Sequence, residues 1–216
     1  MGLFLQQLKT CLLNSPFRLV VNRWLFGNSR RVSGRHHAVH VGKSLLTGTR
    51  MTIRGTRNSV WIGDGMRLFN ASIFIQGDGC SVHLCGPGYF SGTLRCTGTT
   101  SSIHIGAGTT AEGASLNASE GASIQIGNDC ALGSGVVLQA GDAHAIVDEQ
   151  SGERLNPAKS ISIGRHVWIA QNAILLKGTV LGDGTIVGAA SVVTHTLSPP
   201  CLRHRRISGP CGPLPC

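Results

Sequence analysis

The chain has 216 residues, 30 of them glycine, with 41% hydrophobic and only 5% aromatic residues: enough for one domain with its own core, and too aliphatic to stay unfolded away from its ends. Its formal charge of +9 is lopsided, because residues 1–60 hold ten Lys or Arg and no acid while 61–216 hold nine Lys or Arg against ten acids. A basic N-terminal part without aromatic stacking residues or a known binding motif argues against nucleic acid and fits an anionic membrane or polymer surface.

Residues 1–30 read as one or two short helices split at Pro16, with Leu5, Leu8, Leu12 and Leu13 on one face and Lys9, Arg18, Arg23 and Arg30 among them. Such a cationic amphipathic segment is expected to cap the first coil of the domain and to touch a membrane surface peripherally. Gln6, Gln7, Lys9, Asn14 and Pro16 interrupt it too often for a secretory signal or a membrane span. Residues 1–40 are thus a basic helical and transitional segment, and 41–197 the folded repeat domain. Short alternating stretches, 38-AVHV-41 and 51-MTIRG-55, lead into a loose repeat, 60-VWIGDG, 82-VHLCGP, 103-IHIGAG and 124-IQIGND. Its anchors Ile62, Leu84, Ile105 and Ile126 are spaced 22, 21 and 21 residues apart.

The register then tightens to Leu132, Leu138 and His144, and the next aliphatic anchor is Ile163. The polar, non-repeating stretch 145–159 between them reads as an extruded loop, where function concentrates on a rigid scaffold. From Ile163 the repeat is strict: Ile163, Ile169, Leu175, Leu181, Val187 and Val193 lie six apart. No helix has period six and a strand has period two; a hexapeptide repeat marks a parallel β-helix, three short strands and three turns to a coil. From Ser198 on, five prolines, two glycines and three cysteines read as an irregular tail. The eight cysteines form no C-x-x-C pair, so a zinc knuckle is not expected and the central ones read as buried thiols of a reducing cytosol.

The D-x-H at 142–144, N-P-A-K at 156–159, V-W-I at 167–169 and G-A-x-S-V-V-T at 188–194, in this order, resemble the hexapeptide-repeat O-acetyltransferases. Most similar are the bacterial enzymes that acetylate capsular or lipopolysaccharide sugars, sialic acid polymers included. The likeness is densest over 124–196 and looser over 41–123. It implies an all-β, left-handed parallel β-helix, against the usual right-handed crossover, and a cytoplasmic homotrimer with active sites between subunits. It also implies acetyl-CoA as acyl donor, a saccharide acceptor and no metal. Membrane contact, if made through residues 1–30, would be at the inner face.

The resemblance gives His144 the part of general base, taking the proton of a sugar hydroxyl as its oxygen attacks the thioester without an acyl-enzyme. Asp142 would orient the imidazole. A backbone N–H near Ala170 would bind the oxyanion, a contribution of roughly 3 kcal/mol. Trp168 matches the tryptophan beside the cofactor arm, and Gly188, Ala189 and Ala190 would let pantetheine lie against the coil. Asn156 and Lys159 could contact the acceptor. His195 stands where the family has a lysine near the CoA phosphates, and 201-CLRHRRISGPCGPLPC-216 replaces the family's closing turn, leaving Arg203, Arg205 and Arg206 as candidates for phosphate contacts. Two rival readings exist. A zinc β-helix that hydrates carbon dioxide needs three converging imidazoles, and His83 and His104 are followed by Gln125 at the next equivalent position. A scaffold without activity is suggested only by the unusual C-terminus.

Overall fold

The computed structural model describes residues 27–197, together with the backbone of 202–203. The helices expected over 1–30 and the basic tether they would form lie outside the described residues, apart from the last few. There the expectation fails: Ser29–Arg35 is a strand, paired in parallel over seven residues with Arg50–Thr56. Gly34 and the β-branched Val32 are poor helix formers, and the extended chain gains a full ladder partner. The coil therefore starts ahead of residue 41. At the other end Leu202–Arg203 pairs with Ile186–Val187, so two residues of the supposedly irregular tail extend the ladder.

All described strands of the two sheets pair in parallel, and successive coils stack on one another. In the strict-repeat region Ile163 lies on Leu181, Ile169 on Val187 and Leu175 on Val193, one eighteen-residue coil apart. These aliphatics, with Ile126, Leu132 and Leu138, form a thin continuous core, all at most 3% exposed. One sheet of seven strands, from Ala38–Val41 to Val180–Leu181, makes one face of the prism. The other sheet wraps the remaining two faces and changes character along the axis. In the early coils a single long strand turns the corner, as in Met66–Asp78, Gly88–Thr99 and Thr110–Ser119. Beyond these the strand divides into short pieces, Ala131–Leu132 and Val137–Gln139, both paired to Thr110–Ser119. The extra residues that give the early coils their longer period sit at the far end of this wide face. There Gly77 has φ 156°, and a Cβ on it would collide with the carbonyl of Gly98 on the next coil, so only glycine lets the rungs stack.

Corners are held by buried side chains that replace missing backbone partners. Asn58, fully buried, donates to the carbonyls of Arg54 (3.1 Å) and Gly77 (2.7 Å) and accepts from the Cys80 N–H (2.8 Å). Asn58→Ala strands these groups out of water, at about 1–3 kcal/mol for each unsatisfied one. A loss of about 2–4 kcal/mol in urea unfolding is expected; a loss below about 0.5 kcal/mol, the range of ordinary surface changes, would contradict the role.

The seven-stranded face carries rings in register: His40, Trp61, His83 and His104, with successive centroids 5.4, 4.4 and 5.0 Å apart. Gln125 continues the column, so two imidazoles meet there but not three. The Nε2 of His83 is shielded from solvent without a partner, and burial, followed by the charge of His104, lowers its pKa below the usual 6.5. As pH falls through that value the unfolded chain takes up the proton first, so stability declines there and continues to decline until the lower folded pKa is passed. His83→Phe keeps the ring and removes the proton site. Its melting temperature should drop less than that of the natural chain between about pH 7 and about pH 5; equal slopes would remove His83 from the acid response.

Candidate active site

The chain leaves the coil after Ala140, buried in the core, and returns at Ile161. The N–H of Lys159 donates to the carbonyl of Ala140 at 2.9 Å and closes the stem of this excursion. Ile163, paired with Ile126, fills the inward position that a continuous hexad register would give to His144. His144 is thereby released from the core and stands exposed at the start of the loop, just after Ala143 in the left-handed conformation (φ 63°). Its ring makes no hydrogen bond among the described residues. The loop is a small hairpin: Val147 and Arg154 bridge antiparallel, and the Asp148 carboxylate accepts from Gln150 N–H, Ser151 N–H and the Ser151 hydroxyl to close the tip.

Asn156 organises the loop from inside. Only 8% exposed, it accepts from the Ile146 N–H at 2.6 Å through Oδ1. Its Nδ2 donates to the carbonyl of His144 at 2.8 Å and to Asp142 Oδ2 at 2.9 Å. Both loop strands are thus tied across one carboxamide, and the backbone of His144 is one of the points held. Lys177, on the coil below, completes the clamp: its Nζ donates to Asp142 Oδ2 at 2.5 Å and to the Asn156 carbonyl at 3.1 Å. Lys177 first and Asn156 second hold the Asp142 carboxyl below the usual carboxylate range. A second pair, Arg154 to Glu120 at 2.8 Å, fastens the returning strand to the wide face.

In this geometry two of the expected site residues have partners within the protein. Asp142 does not bond to the His144 ring; its oxygen serves Lys177 and Asn156, because Nζ reaches it from the rigid coil. The polar atoms of Asn156 are used within the protein. Lys159 is exposed on the loop, with its stem over Gly178.

The remaining residues gather at a corner further along the coil. Trp168, 53% exposed, stands in register between Ala131 and Ile186. Its strand runs into the turn at 170–172, which stacks on the turn at 188–190 through a hydrogen bond from Ala190 N–H to the Gln171 carbonyl, 2.8 Å. Ala189 is exposed, and Ala190 adopts φ 55°. The small residues Gly188, Ala189 and Ala190 follow the strand Ile186–Val187 that pairs with Trp168–Ile169. The Ala170 N–H itself donates to the Val187 carbonyl at 2.9 Å, so an oxyanion donor near Ala170 has to be a neighbouring amide. His195 is exposed, its Nδ1 3.3 Å from the Thr194 hydroxyl. The side chains of Arg203, Arg205 and Arg206 lie outside the described residues.

Sequence reasoning missed Lys177, Arg154 and Glu120. Lys177 and Glu120 meet the loop only in space, 35 residues from Asp142 and 34 from Arg154 respectively, and no spacing rule joins them. Chemically, the site offers an exposed imidazole on a loop whose backbone is pinned to a rigid coil. It can accept a proton at a fixed place while the ring itself stays open to a substrate.

Comparison with known proteins gives this geometry its context. The family model described as bacterial transferase hexapeptide (six repeats) matches residues 160–195. A polysialic acid O-acetyltransferase of Neisseria meningitidis is 30% identical over 146 residues, 67% of this chain and 68% of that protein. Another, from Escherichia coli O1:K1 / APEC, is 42% identical over 55 residues, 26% of this chain and 18% of its own length. Among solved structures, the polySia specific acetyltransferase NeuO superposes with a TM-score of 0.77 at 27% identity, covering 81% of each chain. The polysialic acid O-acetyltransferase OatWY does so at 0.75 and 29%, covering 81% of this chain and 83% of its own.

Proposed function

This chain belongs to the hexapeptide-repeat O-acetyltransferases, left-handed parallel β-helix enzymes, and from that premise we propose that it transfers an acetyl group from acetyl-CoA to a hydroxyl of a sialic acid polymer or another acidic surface polysaccharide. His144 removes the hydroxyl proton, and the oxygen attacks the acetyl carbonyl directly. The carbon–sulfur bond breaks as the ester forms, and the proton passes from the imidazolium to the departing thiolate. Acetyl-CoA supplies the activated acyl group. Trp168 flanks its arm, the turn Gly188–Ala190 gives the arm room, and His195 lies towards its phosphates. Lys177, Asn156 and Asp142 act on the reaction only through the loop they hold. The active unit is a homotrimer, and Lys159 faces the acceptor. Zinc chemistry has no comparable support, since Gln125 follows His83 and His104 in register.

The observation that carries this reading is the exposed imidazole of His144 with its own carbonyl pinned 2.8 Å from Asn156, in a chain of this family. Incubation of the purified protein with acetyl-CoA and a polysialic acid oligomer tests it. Release of free thiol matched by new O-acetyl signals in the proton NMR spectrum of the sugar is expected. Thiol release without sugar acetylation, or none at all, would overturn it.

A further inference from the structure

The wide face of the early coils ends against the catalytic loop, and its outward side chains form straight columns. In register along one column stand Phe74, Arg95, Asn117 and Gln139; beside it run Arg54, Gln76, Thr97 and Ser119. A cavity of about 590 Å³ opens over Arg95, Asn117, Ser119 and Gln139 and reaches Ala143, the residue before His144. Its polar lining consists of neutral amides and hydroxyls plus two charged groups. One, Glu120 on the rim, is neutralised by Arg154 at 2.8 Å. The other is Arg95: exposed, without an ion pair among the described residues, its guanidinium 4.9 Å from the centre of the Phe74 ring. A cation resting on an aromatic face is oriented without being discharged, and the guanidinium fork matches a carboxylate in two parallel hydrogen bonds.

We propose that this cavity is an acceptor subsite for an acidic sugar residue adjoining the one acetylated at His144, with Arg95 holding its carboxylate. The inference rests on the proposed acetyl transfer to an acidic polysaccharide. Rungs about 4.8 Å apart put Arg95 roughly 10 Å along the axis from Gln139, so a chain of sugars lying on the face reaches the guanidinium only beyond its reactive unit. Asn117, Ser119 and Gln139 contribute neutral polar contacts along the way, whereas the seven-stranded face, with its column of rings, has no such cation at its centre.

Arg95→Gln is the test, because the side chain is exposed and away from the loop clamp. Binding is measured by calorimetry without acetyl donor, using a polysialic acid oligomer of about six residues and the same oligomer with its carboxyls reduced to alcohols. The natural chain should bind the acidic oligomer at least about 10-fold more tightly than the reduced one, in line with a charge-assisted bidentate contact. Arg95→Gln should lose that preference while binding the reduced oligomer unchanged. In turnover the variant should show a KM for the acidic oligomer raised by about the same factor, an unchanged KM for acetyl-CoA and a kcat within about twofold. Equal binding of the acidic oligomer by variant and natural chain would overturn the subsite, as would a natural chain that does not bind it. Two outcomes separate the inference from its premise. Acetylation of the oligomer with a KM indifferent to Arg95 removes the subsite and keeps the activity; Arg95-dependent binding without acetylation keeps the subsite and removes the activity.

Discussion

His144→Ala should fold as the natural chain does and lose acetyl transfer by about 10²- to 10⁴-fold, the usual contribution of a general base. The fold should survive because the ring is exposed and holds no hydrogen bond among the described residues, so truncation leaves nothing buried without a partner. A change in unfolding free energy within about 0.5 kcal/mol is expected, as for other exposed positions. The carbonyl of the substituted residue still accepts from Asn156, so the loop keeps its course. Two readouts separate a chemical defect from a structural one. Binding of acetyl-CoA should be unaltered, and millimolar imidazole added to the assay should restore part of the rate by supplying the missing base. Turnover near the natural rate in the purified variant would take His144 out of the mechanism.

Lys177→Met should lower kcat by about 10- to 100-fold, the scale seen when the residues supporting an active group are removed. Its effect on melting should be small. The Lys177–Asp142 pair is partly open to solvent, 21% and 39% exposed on its two sides, and such pairs contribute little to stability. Its consequence is directional: Nζ fixes Asp142 and the Asn156 carbonyl, and Asn156 fixes the carbonyl of His144. Lys177→Arg, which keeps charge and donors, should recover much of the rate, whereas a purely structural lysine would show a parallel loss of melting temperature and no recovery. The pair also sets a pH limit. With the Asp142 pKa below 3.8, the clamp's contribution is complete above that value and is lost only as pH falls through the lower folded value. Activity on the neutral side should therefore not depend on Asp142 titration. A kcat for Lys177→Met equal to that of the natural chain would show that the loop holds His144 without the clamp.

What could be read in the sequence follows from how repeats signal themselves. The aliphatics from Ile163 to Val193 each fill one slot of a core that admits nothing else, so their period appears directly in the chain. The spacing of Ile62, Leu84, Ile105 and Ile126 carried the same message with longer turns. The excursion was visible as the place where that pattern stops, but it leaves the coil after Ala140 rather than after His144. The first described rung was not visible: among the described residues Ser29–Arg35 has a neighbour on one side only, its residues are all exposed, and no aliphatic pattern marks it. Two side chains have partners that sequence did not suggest, for a common reason. Asp142 and Asn156 are adjacent to His144 in sequence or in motif, but which lone pair or N–H they use depends on Lys177, which comes from another coil. Periodic burial is one-dimensional information; the clamp and the cavity belong to the third dimension.

The hydrogen bond that joins Lys159 to Ala140 has a consequence for how this architecture diversifies. Because the stem is stitched shut, the coil receives only two ends a single corner apart, whatever lies between them. Lengthening such an excursion twofold costs about 0.6 kcal/mol in closure entropy, and each rung answers only to its nearest neighbours. The segment from Gly141 to Ser160 is in this sense a cassette plugged into a lattice. It can be exchanged for another of different length and chemistry while the aliphatic column beneath it keeps its register, and the scaffold can thus acquire a new acceptor without having to be folded anew.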